Sequence, residues 1–465
     1  MTASTLDSHP LHPPRIGPLE WIRSRLFPNL RSGILTILLA PVVVYALYRG
    51  ALFFFVNGRW EVVTRNLTLF MQGTYPRGEQ WRIVAQLMLL ALALGVGTST
   101  SAASRADIAR EAGLTVGKRT PLSIIKRFWS LIVFVLVLLY FAATVTPWLV
   151  MAGTVAAFLV GTSARFIPSR FRNIGWTLAA LILVAAFQVV VGTVGYSWMI
   201  TAGVLAAGAW ATFQFEGVEG RRATVYRTSV AVAAAVVAYF VYTVLVFPGV
   251  GWDHWSGLHL TLWVSAFAIV LSFPLGLLLA LARRSTLPVL RWVSTGYIEL
   301  IRGVPLITLL FMGQYILGFM LPQGTDPSSI TRAITAMTLF TAAYVAEIVR
   351  GGLQSIPHGQ TEAGLALGLP TGKLMRMIVL PQALRSVIPA LVGQFISIFK
   401  DSSLLYILAI HEFLGVRSLV HAQPDFRVIA HAESLVFVAI GYWAFAYAMS
   451  KESQRLEVRL RAGKS

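Results

Sequence analysis

Long apolar runs recur from Ile34 to Met449, separated by short polar stretches rich in arginine. A hydrocarbon core about 30 Å thick needs about 20 apolar residues as helix. Counting the runs together with the charges that flank them predicts twelve spans, near 33–56, 82–100, 128–146, 148–164, 174–194, 197–214, 227–247, 256–282, 303–321, 331–349, 384–410 and 431–450. The expected fold class is all-α: a polytopic transmembrane helical bundle of about twelve spans, about seven N-terminal and five in a C-terminal core. The stretch from Phe128 to Ala164 is too long for one ordinary helix, and Pro147 followed by Trp148 breaks it into a tight hairpin.

Composition agrees with this pattern. Of 465 residues, 56% are apolar and 12% charged, and the mean hydropathy is +0.71. A soluble domain carries roughly a quarter charged residues, so the excess apolar surface needs lipid as its solvent. The N-terminal stretch Met1 to Arg31 is polar and has no leading apolar region with a small-residue cleavage site, so the first span is expected to be retained.

The net charge of +19 invites a nucleic-acid reading, which the placement of the basic residues argues against. They sit in short loops between apolar runs, the positive-inside pattern. Arg105 to Arg127, Arg165 to Arg172, Arg221 to Arg227, Arg283 to Arg291, Arg350 to Arg385 and Lys451 to Lys464 all fall on one side, taken as cytoplasmic. Six of the 38 basic residues, Arg59, Arg65, Arg77, Arg332, Arg417 and Arg427, fall on the other. Both termini are then expected in the cytoplasm.

A shift in polarity suggests two parts. Before about residue 250 the spans are rich in Ala and Val, whereas later spans carry Glu, Arg, Lys, Asp and Gln at or near membrane depth. The expected domains are residues 1–250, an additional transmembrane region, and residues 251–465, the core in which function concentrates, with the boundary at Pro248, Gly249, Gly251 and Asp253.

Between the tenth and eleventh spans lies QTEAGLALGLPTGKLMRMIVLPQAL, residues 360–384. It reads as two short helices with a hinge. The first is expected near Gln360 to Leu367, closed by Gly368 in a left-handed turn with Pro370 just beyond. Thr371 is expected to cap the second. Leu374, Met375 and Ile378 fall on one face of it, offered to a soluble partner, and Pro381 ends the turn before the next span.

This segment resembles the EAA loop of ABC importer permeases: E-A-A, three residues, G, nine residues, then I-x-L-P. Glu362, Ala363, Gly364, Gly368, Ile378, Leu380 and Pro381 stand at the family spacing, with Gly364 replacing the third-position alanine. The stretches Tyr297 to Ile307, Ala342 to Ala363 and Leu391 to Leu405 resemble polar amino-acid permeases over about residues 255–455. The seven extra spans, with Trp60 to Trp81, are similar to the long permease subunits of general L-amino-acid importers. The resemblance implies that the loop near 353–381 docks as a coupling helix on an ABC ATPase, which binds ATP and Mg. It also implies a second permease subunit, a periplasmic amino-acid-binding protein and an L-amino-acid substrate.

Lys400 and Asp401 lie about sixteen residues into the eleventh span, roughly 24 Å from its inner end. Ser402 and Ser403 extend the polar patch. An uncompensated charge there is costly, so these residues either line a substrate path or form a structural salt bridge or snorkel to the outer interface. Glu299 with Arg302, and Glu347 with Arg350, sit near cytoplasmic ends. Structural pairing or anchoring is the first reading, and a role of Glu347 and Arg302 toward a zwitterionic substrate is the second.

Other chemistry is missing from the sequence. There is no cysteine, and His411, His421 and His431 lack any metal-ligand spacing, so no metal site is expected and an interfacial polar role is assigned. No Walker A sequence occurs, since Gly113 to Lys118 and Gly368 to Lys373 have the wrong spacing, and no GxSxG element is present. The chain is therefore expected to be a non-enzymatic transport subunit binding no cofactor itself. An ion-coupled secondary transporter is the alternative, which leaves the cytoplasmic hairpin unexplained.

Overall fold

The computed structural model describes residues 17–111, 147–166, 182, 254–320 and 327–462. Its described residues are helical almost throughout, as spanning backbone must be to satisfy its own hydrogen bonds without water. The chain divides into two compact units, Met1–Trp60 and Glu61–Ser465. Seven described helices are long and apolar enough to cross a membrane, or eight if one bent pair counts as a span. The expected spans 128–146, 197–214 and 227–247 lie outside the described residues, as does 174–194 apart from residue 182.

The first unit holds α1 (Pro18–Leu26) and α2 (Leu30–Leu52). Asn29 caps α2, its side chain accepting from the Ser32 amide at 2.9 Å. No residue of α2 is buried, and Trp60 closes the far end of the unit by donating to Phe54 O at 2.9 Å while its ring stacks on Phe54.

The second unit begins with two short helices, α3 (Glu61–Arg65) and α4 (Leu67–Gln72), followed by α5 (Gln80–Glu111) and α6 (Pro147–Gly161). The start of α6 at Pro147 agrees with the break expected in the long apolar run. The core then comprises α7 (Gly257–Arg283), α8 (Pro288–Gly303), α9 (Leu306–Tyr315), α10 (Ser329–Gln354), α11 (His358–Ala366), α12 (Thr371–Leu374), α13 (Leu380–Asp401), α14 (Val416–His421) and α15 (His431–Ala462).

Helix α10 is the axis of the core and packs on α7, α8, α9 and α13. Its buried positions include Ala333, Ala336, Ala342, Ala343, Ala346 and Gly352, small residues that let backbones approach where lipid provides no hydrophobic drive. The α7 crossing is close: a Cβ on Gly276 would lie 2.6 Å from Val345 Cβ and 2.7 Å from Ala342 O.

The span expected at 303–321 takes a different form. Helices α8 and α9 meet at 106°, with the break at Val304 and Pro305. Pro305 fixes φ and cannot donate a backbone hydrogen bond, so it starts α9 and prevents α8 from continuing through it.

Helices α3 and α4 pack onto the core, nearly 200 residues and more away in sequence. Phe70 is fully buried, its ring centroid 6.4 Å from that of Phe413 and 5.1 Å from that of Phe437. Gln423 donates to Asn66 Oδ1 at 2.7 Å, and the Thr74 amide donates to Ser256 Oγ at 2.7 Å. Farther along, His259 Nε2 meets Gln86 Oε1 at 2.9 Å beneath Trp255.

Candidate functional site

The hairpin between α10 and α13 takes its shape from local backbone chemistry. Pro357 begins α11, and the helix closes with the Gly368 amide donating to Leu365 O and the Leu369 amide to Gly364 O. These two bonds are a Schellman closure, which requires the left-handed conformation that Gly368 adopts at φ +73°. Helix α12 starts at Thr371, but its cap residue is Pro370, and the Thr371 side chain makes no capping bond. The expectation for Thr371 is thus replaced by proline's pre-set φ just before the first turn.

Pro381 does not end the element. Helix α12 passes through a π turn, Met375–Val379, directly into α13, and the Leu380 amide reaches back to Met375 O. A wider turn at this place makes room for the proline ring, which has no N–H to donate. Residues from Thr371 to Leu408 therefore form one helical rod.

The apolar face also points differently from expectation. Leu374 is buried in the same apolar cluster as Val345, Val349 and Ile298, with Met375 and Ile378 packed on that cluster. Gly364 lets Leu374 approach, since a Cβ there would lie 2.4 Å from Leu374 Cδ1. The exposed apolar side chains of the hairpin are instead Leu365, Leu367 and Met377. Burial decided this because the inward face completes the core, which spacing within one helix does not reveal. Glu362, Ala363 and Lys373 are exposed, and Glu362 and Lys373 have no hydrogen-bond or ion-pair partner among the described residues.

Both ends of the hairpin are anchored. Gly352 of α10 lies against Ala383 and Val387 of α13, where a Cβ would meet Val387 Cγ1 at 2.4 Å. Gln382 donates to Gln360 Oε1 at 3.4 Å and to Ile378 O at 3.0 Å. Leu380 is buried and Pro381 exposed at the junction.

Just above the hairpin lies a five-membered ion network. Arg350 Nε donates to both Glu347 oxygens at 3.0 Å, Arg283 reaches Glu347 at 3.3 Å, and Arg302 reaches it at 3.7 Å. Glu299 bonds Arg283 at 2.8 Å, so the expected Glu299–Arg302 pair is replaced by one across helices. Arg302 also lies over the Tyr344 ring, 5.9 Å from its centroid. Three helices, α7, α8 and α10, are tied together here.

The outer polar patch stands apart from this network. Gly352 and Ala383 share a level, and Asp401 lies eighteen residues beyond Ala383 on α13, whereas Glu347 lies five before Gly352 on α10. At about 1.5 Å per residue the two carboxylates are roughly 20 Å apart along the bundle, so one substrate molecule does not span both. Lys400 is exposed, Asp401 half-buried and Ser402 buried; among the described residues no ion pair joins Lys400 to Asp401. Ser402 donates to Phe399 O at 2.6 Å and lies 3.3 Å from Tyr442 Oη.

The sequence reading missed Glu412. It is fully buried, and Leu414 N, Gly415 N and Tyr442 Oη donate to its carboxylate at 2.8, 2.7 and 2.7 Å, with Thr261 Oγ1 at 3.4 Å. Burial pushes its carboxyl up to about 7, against the downward pull of these four hydrogen bonds. Its only sequence signal is an acidic residue inside an otherwise apolar stretch, Leu404 to Val416. Nearby, the His421 and His431 rings stack at 3.8 Å, with His421 Nδ1 at 2.8 Å from Phe426 O and Nε2 at 2.9 Å from Ser434 Oγ. Burial holds the His421 imidazole below its ordinary range. Among the described residues no group of three or more metal-ligating side chains is found.

Residues 272–448 match the family described as the binding-protein-dependent transport system inner membrane component. The chain is 43% identical over 211 residues to the inner membrane amino-acid ABC transporter permease protein YhdY of Escherichia coli, covering 45% of this chain and 57% of the relative. It is 42% identical over 218 residues to the glutamate/glutamine/aspartate/asparagine transport system permease protein BztC of Rhodobacter capsulatus, covering 47% and 50%. The match thus spans about half the length of these two relatives. Against the probable glutamine ABC transporter permease protein GlnP of Bacillus subtilis it is 37% identical over 206 residues, 44% of this chain and 92% of the relative. With nearly the whole of that shorter relative aligned, this multi-pass chain belongs to the inner membrane components of binding-protein-dependent transport systems, among the amino-acid ABC permeases.

Proposed function

We propose that the chain is the transmembrane permease subunit of an ATP-driven importer of L-amino acids, converting ATP hydrolysis in a partner subunit into alternating access. The observation that carries this reading is the hairpin: a helix closed at Gly368, exposing Glu362, Leu365 and Leu367, and built into α10 and α13 at its two ends. A push on such an element moves the attached helices as rigid bodies. Glu362, Ala363, Gly364, Gly368, Ile378, Leu380 and Pro381 are the coupling residues. Glu362 and Lys373, both exposed and without an ion-pair partner among the described residues, are suited to opposite charges on an ABC ATPase, which supplies ATP and Mg.

Substrate passes Lys400, Asp401 and Ser402 near the outer end, and Glu347 with Arg302 belongs to the inner end of the route. A second permease subunit and a periplasmic amino-acid-binding protein complete the assembly, and both termini lie in the cytoplasm. Residues 251–465 are the permease core and 1–250 an added region, part of which, from Glu61 to Gln86, packs into that core. The family match favours this reading over an ion-driven transporter.

Uptake of labelled amino acids into proteoliposomes holding the full assembly is the test. Uptake is expected only with internal ATP, and uptake driven by a proton gradient with no ATP would reject the reading. Asp401→Ala is expected to lower uptake while leaving co-purification of the ATPase intact; normal uptake by that variant would remove Asp401 from the path.

A further inference from the structure

The buried carboxylate of Glu412 belongs to no part of the function described so far. It is fully buried in the segment joining α13 to α15, and among the described residues no cation pairs with it. Four donors share its two oxygens. Oε1 takes the Gly415 amide, and Oε2 takes the Leu414 amide, the Tyr442 phenol and, more loosely, the Thr261 hydroxyl. Thr261 Oγ1 in turn accepts the Phe413 amide at 3.0 Å, and Gly257 N donates to His411 O at 2.8 Å. Helices α7 and α15 are thus tied to one turn of loop by a single side chain.

The same knot reaches the proposed substrate path. Tyr442 Oη, held by Glu412, lies 3.3 Å from Ser402 Oγ, and Ser402 follows Asp401 directly. At Asp401 helix α13 ends, and the chain continues as a 3-10 turn, Ser402–Leu408, closed by Ala409 in a left-handed conformation at φ +56°. A chain leaving a helix at its polar end needs an external tie to hold one path.

We propose that Glu412 is a positioning residue that, through Tyr442, fixes Ser402 and the adjoining Asp401 at the outer end of the transport route. The proposal rests on the importer reading for its activity test alone. In the ionised state the carboxylate accepts every donor around it. A proton on it weakens its pull on every donor, Tyr442 among them, so this tie loosens locally even though burial favours the neutral carboxyl. The side chains that reach it are Thr261 from α7 and Tyr442 from α15; His411 precedes it in the chain, and Arg417, the nearest guanidinium in sequence, turns to Ser434 Oγ and His431 O instead. Burial places its titration near neutrality.

Two measurements test this. In proteoliposomes holding the full assembly, ATP-driven uptake is expected to fall about fivefold between pH 8 and pH 5.5, the weight of one net hydrogen bond, with its midpoint near 7. Glu412→Gln removes that step. Tyr442→Phe, which keeps the ring and deletes one donor to the carboxylate, moves the midpoint upward. A step unchanged in both variants, or a pH-flat wild type, overturns the proposal.

The second measurement needs no transport. The chain has no cysteine, and Leu405 is fully buried in the 3-10 turn, so Leu405→Cys reports its loosening by thiol labelling of the purified protein. The labelling rate divided by that in the Glu412→Gln background is expected to rise about fivefold on acidification through pH 7, and a constant ratio overturns the proposal. Loss of ATP-driven uptake in the wild type with the labelling step intact strikes only the importer reading.

Discussion

Replacing Phe70 with alanine tests whether α3 and α4 are working parts of the core. Phe70 is fully buried, in edge contact with Phe413 and Phe437, and Val62 of α3 is equally enclosed. Truncating a buried phenylalanine costs about 3–5 kcal/mol, part of it from aromatic contacts worth about 0.5–1.5 kcal/mol each. The polar ties are weaker. The Gln423–Asn66 and Thr74–Ser256 hydrogen bonds contribute about 1 kcal/mol apiece. The Arg65–Asp425 pair, 3.8 Å apart with both side chains largely exposed, adds at most about 1 kcal/mol. Buried Val62, Val63, Leu67 and Met71 still hold the two helices, so the loss at Phe70 exceeds any single polar tie and loosens them without detaching them. Val62→Cys reads this directly in a chain with no other thiol. In purified protein Cys at that position is expected to be protected with Phe70 present and labelled faster with Phe70→Ala. Equal labelling in the two backgrounds would refute the packing argument.

Three other outcomes follow from the structure. Because burial raises the Glu412 carboxyl from 4.5 to about 7, the folded state holds its proton more tightly than the unfolded chain does. Its stability contribution is full below pH 4.5 and lost as pH rises through 7, a change of about 3 kcal/mol. Thermal melts in detergent at pH 5 and 8 should show this fall in the wild type and not in Glu412→Gln. Gly276→Leu is expected to prevent the α7–α10 crossing, because even a Cβ meets the Ala342 carbonyl at 2.7 Å; the readout is loss of the monodisperse peak in size-exclusion chromatography. At Gly368 a Cβ meets open space, so Gly368→Ala costs only the left-handed backbone, about 1–2 kcal/mol. ATPase co-purification should weaken by roughly tenfold or more, and Gly368→Asn, which tolerates that conformation better, should restore part of it.

Much of the bundle was legible along the chain because lipid imposes a strong length and composition rule on each spanning helix. The spans at 33–56, 82–100, 256–282, 331–349 and 431–450 all correspond to described helices for that reason. The hinge at Gly368 was legible too, since a left-handed closure followed by proline is a local matter. What the sequence could not settle depended on neighbours remote in the chain. Leu374 has the spacing of an exposed docking face, yet it is buried in a cluster shared with α10 and α13. Glu299 lies three residues from Arg302 and bonds Arg283 on another helix. Glu412 looked like an ordinary loop acid until Thr261 and Tyr442, 151 and 30 residues away, closed around it. Helix formation and membrane insertion are set by short stretches of sequence. Burial and pairing are set by which stretches meet, and only the tertiary structure decides that.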